Sequence, residues 1–421
     1  MYATMSDAYK KPLTHSNATE RVDKSAAYWN QLKGALPIWL CIWGLAFRRM
    51  VLRRGRSAEN FATVDSFALV DIILVGIMTI LVLKKLAKGN PSIKRFFPVS
   101  GEFLLAMYCL GIVSMIWSPM PSYSGYRAYE VLISIFAIYV SLSCFSQKNL
   151  EKGALTLAVG ALFIFYGGRW LETGVSSIAG LHIDAASAAM IFAYCFGELL
   201  TSPDEERKRV LRRLAVLSLG ILVISTSSSS NIGAAFGVLT AIFSKRNRFL
   251  AFSLLLFLVL VSFMMISGAD DLQSAMFQIF FPGKNYEGVM SGSGRVSVFK
   301  YYWPLVFDHP WFGCGFGIAT RTLGFYANTA HNIFLDILLA IGFVGLSLFF
   351  LFFYNFITEN IKATKIRMKS ALGCRAMFAA GLVNCLGSPF IGNFWAVPII
   401  VFSSFLALQH FSYYQQTTKK I

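Results

Sequence analysis

Apolar runs long enough to cross a bilayer recur along almost the whole chain. Residues 71–83 read DIILVGIMTILVL, and residues 333–353 read IFLDILLAIGFVGLSLFFLFF with Asp336 as the only charge. A helix crossing hydrocarbon about 30 Å thick needs about 20 such residues. Inside lipid the backbone must satisfy its own hydrogen bonds, which a helix does. Only 14% of the 421 residues are charged, against about a quarter in a soluble domain. The chain therefore reads as all-α, a polytopic integral membrane helical bundle, and a soluble fold is excluded.

The runs predict about 12 transmembrane helices. They fall near 35–52, 67–86, 103–117, 130–145, 154–167, 185–200, 214–225, 232–243, 250–266, 333–356, 376–390 and 394–408. Several are short for the hydrocarbon core and must borrow flanking residues. The organisation follows: 1–34 a cytoplasmic polar tail, 35–267 the first nine spans, 268–331 one large periplasmic loop, and 332–421 the last three spans with a short tail. The polar start lacks a cleavable signal pattern, so the first span is expected to act as an uncleaved insertion signal. A loop of the length of 268–331 is usually functional or disordered, and its aromatic content argues against disorder. Within it Val296, Phe299, Trp303 and Val306 recur at helical spacing, as on one face of an interfacial helix that Pro304 would kink or end.

The net charge is +17. With the N-terminus inside, the inner segments hold more than twice the Lys and Arg of the outer loops. That asymmetry predicts both termini in the cytoplasm and the large loop outside, which in a Gram-negative cell is the periplasm. Arg48, Arg49, Arg53, Arg54 and Arg56 dissent, falling outside under this scheme. The basic residues come in short clusters between apolar runs, which argues for membrane sidedness and against nucleic-acid binding. Seven cysteines, an odd number without metal-ligand spacing, suggest neither a disulfide framework nor a zinc site. Asp270 and Asp271 lack D-x-D spacing and a neighbouring histidine, so no metal site or other cofactor is expected.

Titratable groups at a membrane boundary are costly and are functional candidates by default. The stretch 291–345 gathers several. His331 stands at the start of the tenth span, followed by Asn332. An imidazole with an ordinary pKa near 6.5 can accept a proton from a hydroxyl; the plainer alternative is an interfacial histidine satisfied by water or backbone. Arg295 can hold a phosphate bidentately and keeps its charge; the plainer alternative is a lipid headgroup contact. Arg127 and Arg169 are each the only basic residue of a short outer loop, and Arg321 lies in the large loop nearer His331. Gly313, Gly315 and Gly317 form a G-x-G-x-G run with no preceding strand and no Walker lysine. That is no nucleotide fingerprint; it reads as a tight turn that lets backbone approach a ligand or a helix. Gly342 and Gly345 read as close helix packing. Asp336 lies about 140° around the helix from His331, so a hydrogen bond or ion pair within the bundle is its simplest role.

In order, Gly294-Arg295, His309-Pro310 with Gly313, Gly315 and Gly317, His331-Asn332 with Leu335, and Gly342 with Gly345 resemble the O-antigen ligase and O-antigen polymerase family of bacterial membrane polysaccharide glycosyltransferases. Upstream, Trp117-Ser118 with Pro121, Ser124 and Arg127 resembles that family's first outer loop. The resemblance is strongest over 215–350. It implies an inner-membrane, metal-independent, inverting enzyme of lipopolysaccharide or exopolysaccharide biosynthesis. The donor would be an undecaprenyl-pyrophosphate-linked glycan; the acceptor would be a hydroxyl of lipid A-core or of a growing polysaccharide. Membrane lipids would surround the enzyme, and no nucleic acid or cofactor would take part. On this resemblance His331 is the base and Arg295 binds the diphosphate. Arg127, Arg169, Arg321 and Asn332 complete the expected substrate-binding set. One departure is Asn231, which stands in Ser229-Ser230-Asn231-Ile232-Gly233 where the family often carries a second cation; Arg127 and Arg169 are the candidates to supply that charge. Asp184 is another, standing where asparagine is frequent. A ligase and a polymerase share this chemistry. A flippase or transporter is the alternative of another class, and it would place ionisable groups nearer mid-membrane.

Overall fold

The computed structural model describes residues 15–51, 64–88, 99–173, 184–225, 227–244, 295–318, 320, 330–366, 368–387, 389–391 and 397–418. Every regular element among them is helical. In chain order they are α1 (His15–Val51), α2 (Ser66–Lys88), α3 (Val99–Val113, continued by a 3₁₀ turn Ser114–Ile116), α4 (Pro121–Leu142), α5 (Gln147–Thr173) and α6 (Ala185–Leu199). Then come α7 (Glu205–Ser225), α8 (Ser228–Ser244), α9 (Arg295–Tyr302, followed by a 3₁₀ turn Pro304–Asp308), α10 (Ile333–Lys365), α11 (Ala371–Cys385) and α12 (Val397–Thr418).

Six of these, namely α2, α3 with its 3₁₀ turn, α4, α5, α10 and α12, are long and apolar enough to cross a membrane. The helices α6 and α11 are apolar but shorter. The protein is thus an all-helical membrane protein. The span expected near 250–266, and most of the loop after it, fall outside the described residues.

The helices outrun the apolar windows that mark them. Helix α4 starts at Pro121 rather than near 130, with proline in the first turn, where its missing N–H costs nothing. Helix α5 runs from 147 to 173 rather than from 154 to 167. Arg127 and Arg169, read from sequence as loop residues, therefore sit on helices. A hydropathy window marks only the hydrocarbon part of a helix, whereas backbone hydrogen bonding continues into flanking polar residues.

Helix α12 is the centre of the bundle, with 83% of its apolar window buried, whereas α2 has 22% of its window buried and leaves most of its surface for lipid. Small residues let α6, α8 and α11 approach closely. A Cβ on Gly197 would lie 3.0 Å from the Gly373 Cα, and one on Gly237 would lie 2.5 Å from the Ala193 Cβ and 2.8 Å from the Ala376 carbonyl. In lipid such close packing, rather than hydrophobic exclusion, drives helices together.

Helix termini sort to two ends. At one, Lys85 of α2 donates to the Gly34 carbonyl at 2.8 Å. There Arg207 of α7 bridges Glu151 of α5, at 2.6 Å, and Glu198 of α6, and Lys369 adds a contact to Glu151 at 3.1 Å. We refer to this as the basic end. The other end holds the foot of α10 and His331.

Candidate functional site

The His331 end is built around a break in α10. Ile341 (φ −136°, ψ 16°) and Gly342 (φ 67°, ψ −165°) leave helical geometry. In an unbroken helix Phe343 and Val344 would donate to Leu339 and Ala340. Here the segment 310–315 is inserted into that ladder. Cys314 N–H donates to the Leu339 carbonyl at 2.8 Å and Gly315 N–H to Ala340 at 3.0 Å. On the far side Phe343 N–H donates to the Pro310 carbonyl at 2.8 Å and Val344 N–H to Trp311 at 3.2 Å. Both lost helical bonds are replaced by two loop bonds each.

Glycine is required on both sides of this junction. Gly313, Gly315 and Gly317 have φ of 64°, 121° and 74°, and a Cβ on Gly313 would lie 2.5 Å from the Ala340 carbonyl carbon. The glycine run is therefore the tight turn expected from sequence, and what it approaches is a helix. Gly342 differs from expectation. It does not serve helix packing but opens the helix, and a Cβ there would lie 2.2 Å from the Trp311 carbonyl carbon.

The upstream serine motif docks on this hairpin. The Ser114 hydroxyl accepts from Phe316 N–H at 3.0 Å, and Trp117 Nε1 donates to the Phe312 carbonyl at 3.2 Å. Ser118 and Ser124 hydroxyls pair at 2.8 Å beneath Gly315, where a Cβ would meet them at 2.7 and 3.0 Å. The contact between these two motifs joins residues about 200 positions apart, a distance no periodicity argument spans.

His331 stands at the corner leading into α10, half-buried and with φ of 52°, a conformation few non-glycine residues adopt. Both neighbours are tied down. The Asn332 side-chain oxygen accepts from Phe334 N–H at 2.9 Å and Leu335 N–H at 3.2 Å, capping the helix. The buried Asp336 carboxylate accepts from Ala330 N–H at 2.8 Å. Asp336 thus has the hydrogen bond within the bundle that its spacing suggested, and it sits in the first helical turn, where negative charge is favoured. Asn332, expected to bind substrate, uses its side-chain oxygen on the cap.

Arg295 opens α9; its side chain lies outside the described residues. Val298 and Tyr302 of α9, with Val306 beyond it, share a small core with Cys314 and with Leu335, Leu338 and Leu339 of α10. The helix beginning at Arg295 is therefore packed on the first turns after His331. The expected apolar face is corrected in part: the buried row is 298, 302 and 306, while Phe299, Trp303 and Phe307 are exposed. Phe299 stacks on Trp303 at 5.4 Å, and Trp303 meets Phe307 edge-on at 5.8 Å. The α-helical geometry ends before Pro304, as anticipated.

Arg127 on α4 bonds Glu130 at 2.7 Å and lies 5.2 and 5.9 Å from the rings of Tyr123 and Tyr126. A phosphate at Arg127 would have to compete with that carboxylate. Arg169 is half-buried near the end of α5, Asn231 donates its N–H to the Ser227 carbonyl in the first turn of α8 at 3.0 Å, and Arg321 lies outside the described residues. Burial, and secondarily the Asp308 carboxylate, push the Cys314 thiol up to about 11, so it is protonated at neutral pH and is no nucleophile. Among the described residues no three His, Cys, Asp or Glu side chains are grouped as metal ligands would be.

No curated protein matches the chain. Residues 214–350 match the model of the O-antigen ligase family, a stretch that runs from within α7 through α8 and α9 into α10 and so contains Arg295, the glycine hairpin and His331. That match supports the resemblance of this region to the O-antigen ligase/polymerase family.

Proposed function

We propose that the protein is a membrane glycosyltransferase that moves a glycan from an undecaprenyl-pyrophosphate carrier to a hydroxyl acceptor on the periplasmic side, in lipopolysaccharide or exopolysaccharide biosynthesis. The observation that carries this reading is the packing of the helix begun by Arg295 on the first turns after His331, within the matched domain. A polyprenyl donor partitions into lipid and presents its diphosphate at the bilayer rim, where a helical bundle can meet it.

In this reading the His331 imidazole takes the proton of the acceptor hydroxyl as its oxygen bonds to the anomeric carbon. The bond from that carbon to the diphosphate oxygen breaks with its electron pair, and the charge gathers on the departing diphosphate. In this reading the Arg295 guanidinium, permanently charged, neutralises that charge. A single displacement inverts the anomeric centre and calls for no metal ion. Asn332 and Asp336 act as positioning residues, since each fixes backbone beside His331. Arg169 and Arg321 are further cations for the donor, and Arg127 contributes only where the diphosphate can draw it from Glu130.

A polymerase differs only in its acceptor, the growing lipid-linked chain. Glycan profiles of a null strain separate the two: unattached long chains for a ligase, single repeat units for a polymerase. The break in α10 does not by itself favour transport, because the backbone groups it frees are taken up by the hairpin.

The test is transfer by purified protein from a lipid-linked glycan, comparing wild type with His331→Ala and Arg295→Ala. Each variant is expected to lose about 10²–10⁴-fold in turnover while keeping its melting temperature. Full turnover in both would overturn the assignment.

A further inference from the structure

Two cavities meet at the basic end. One, of about 570 Å³, is the cleft between α5 and α7 with Trp43 of α1 at its edge. The other, of about 720 Å³, lies beside the end of α6 and the start of α11. Arg207, Asp204 and Lys369 line both and form their junction.

The two differ in chemistry. Along α5 the cleft wall runs from Lys148 and Lys152 through Leu155 and Val159 to Phe163, about 22 Å of helix and deeper than half of a hydrocarbon core about 30 Å thick. Val210 and Leu214 face it from α7. Phe163 and Val210 remain about half exposed, so this wall is greasy and open to the bilayer. Gly160 lets the cleft keep its width beside Trp43, whose ring a Cβ there would approach to 2.6 Å. The second cavity presents Thr201, Ser202, Ser244, Thr364 and Ser370, a hydroxyl-rich lining.

Charge at the junction is positive. Lys148, Lys152, Arg207 and Lys369 line the cleft together with Glu151 and Asp204, and Glu198 lines the second cavity, so the cations exceed the carboxylates by one. Arg207 is held by Glu151 and Glu198, which fixes the scaffold. Lys148, Lys152 and Lys369 are exposed, with Lys152 over the Tyr28 ring at 3.9 Å and Lys369 beside Glu151 at 3.1 Å. Lys208, Arg209, Arg212 and Arg213 follow along α7.

We propose that this pair of cavities is a binding site for one anionic phospholipid. Its phosphate sits among Lys148, Lys152 and Lys369, its polar headgroup enters the hydroxyl-lined cavity, and an acyl chain lies along Leu155, Val159 and Phe163. A zwitterionic lipid would leave the lysines uncompensated, and a free phosphate would leave the apolar cleft unfilled. Basic pockets between helices on the cytoplasmic side of membrane proteins bind anionic headgroups for this reason. The site is far in the fold from His331, and its existence does not depend on the transfer chemistry proposed above.

The full-length protein in neutral detergent is titrated with phosphatidylglycerol, phosphatidylcholine or inorganic phosphate, with retained lipid read by native mass spectrometry. Phosphatidylglycerol is expected to be retained in preference to phosphatidylcholine and not to be displaced by inorganic phosphate. The variant Lys148→Gln/Lys152→Gln/Lys369→Gln changes only exposed side chains and should keep the lipid-free melting temperature. It is expected to weaken phosphatidylglycerol binding by on the order of fivefold for each lysine removed. Val159→Trp, which fills the cleft without altering charge, should weaken lipid binding too; if it does not fold, the lysine variant decides alone. Equal retention of both lipids, displacement by phosphate, or unchanged binding in the folded lysine variant would overturn the site.

Discussion

The two ends of the bundle are held together by different physics. At the basic end, side-chain charges cross-link helices: Arg207 joins α7 to α5 and α6, and Glu198 also accepts from Gly373 N–H of α11 at 2.8 Å. At the His331 end the work is done by backbone: a glycine hairpin completes the ladder of a broken helix, and positive φ recurs at Gly313, Gly315, Gly317, His331 and Gly342. Ion pairs pin helix ends firmly and tolerate lateral adjustment. Backbone insertion fixes position through the hydrogen-bond ladder itself; glycine takes positive φ at little steric cost, and the described non-glycine residues held there are His331 at this end and Ser370 at the basic end. The contrast teaches that the first end anchors, while the second holds a shape.

Substitutions can break or sharpen that contrast. The largest effect is expected from Gly342→Ala, whose methyl would meet backbone atoms of Trp311 and Phe312 within 2.4 Å at a φ that side chains disfavour. A loss of about 5 kcal/mol or more is expected, read as failure of folded protein to accumulate; normal yield and melting temperature would contradict the inserted-hairpin geometry. Next comes Glu198→Ala at the basic end, which leaves Gly373 N–H without its acceptor and Arg207 with half its counter-charge. Breaking a buried pair this way costs about 3–5 kcal/mol, and the melting temperature should fall while turnover of the surviving folded protein stays near wild type. A selective loss of turnover instead would mean that the basic end takes part in chemistry. Asn332→Ala removes the cap of α10 and should cost about 1 kcal/mol, with a fall in turnover that exceeds the loss of stability because His331 is adjacent. Asn332→Ser should restore most of both, and equal small effects from Ala and Ser would argue that the cap does not position the histidine.

The all-helical membrane class is legible in the sequence because burial in lipid demands apolar runs at helical length. So is the tight turn at Gly313–Gly317, since glycine spacing reports local backbone need. The break at Ile341–Gly342 is not legible. Apolar character continues unbroken through 333–353, and the groups that satisfy the opened ladder come from a loop about 30 residues earlier. Gly342 was the available clue, and helix packing explains a glycine equally well. The Glu151–Arg207–Glu198 cluster is hidden for a similar reason: each residue reads alone as the polar edge of a span, and only packing unites α5, α6 and α7. Of the candidate region, the packing of the helix begun by Arg295 on α10, the engagement of Arg127 by Glu130 and that of Asn332 by the helix cap all depend on tertiary contacts, rotamers and where helices begin, which order along the chain does not supply.

The contrast between the ends has a direct consequence in a cell: Arg295 and His331 should open to one compartment and the lysines of the basic end to the other. In a background with the exposed Cys109 replaced, Arg295→Cys, His331→Cys and Lys148→Cys can be exposed to a membrane-impermeant thiol reagent in cells with a permeabilised outer membrane. Labelling of positions 295 and 331 before the inner membrane is opened, and of position 148 only afterwards, is the predicted result. Labelling of 295 and 331 from opposite sides, or of 148 together with them, would contradict a single extracytoplasmic site facing away from a cytoplasmic anchor.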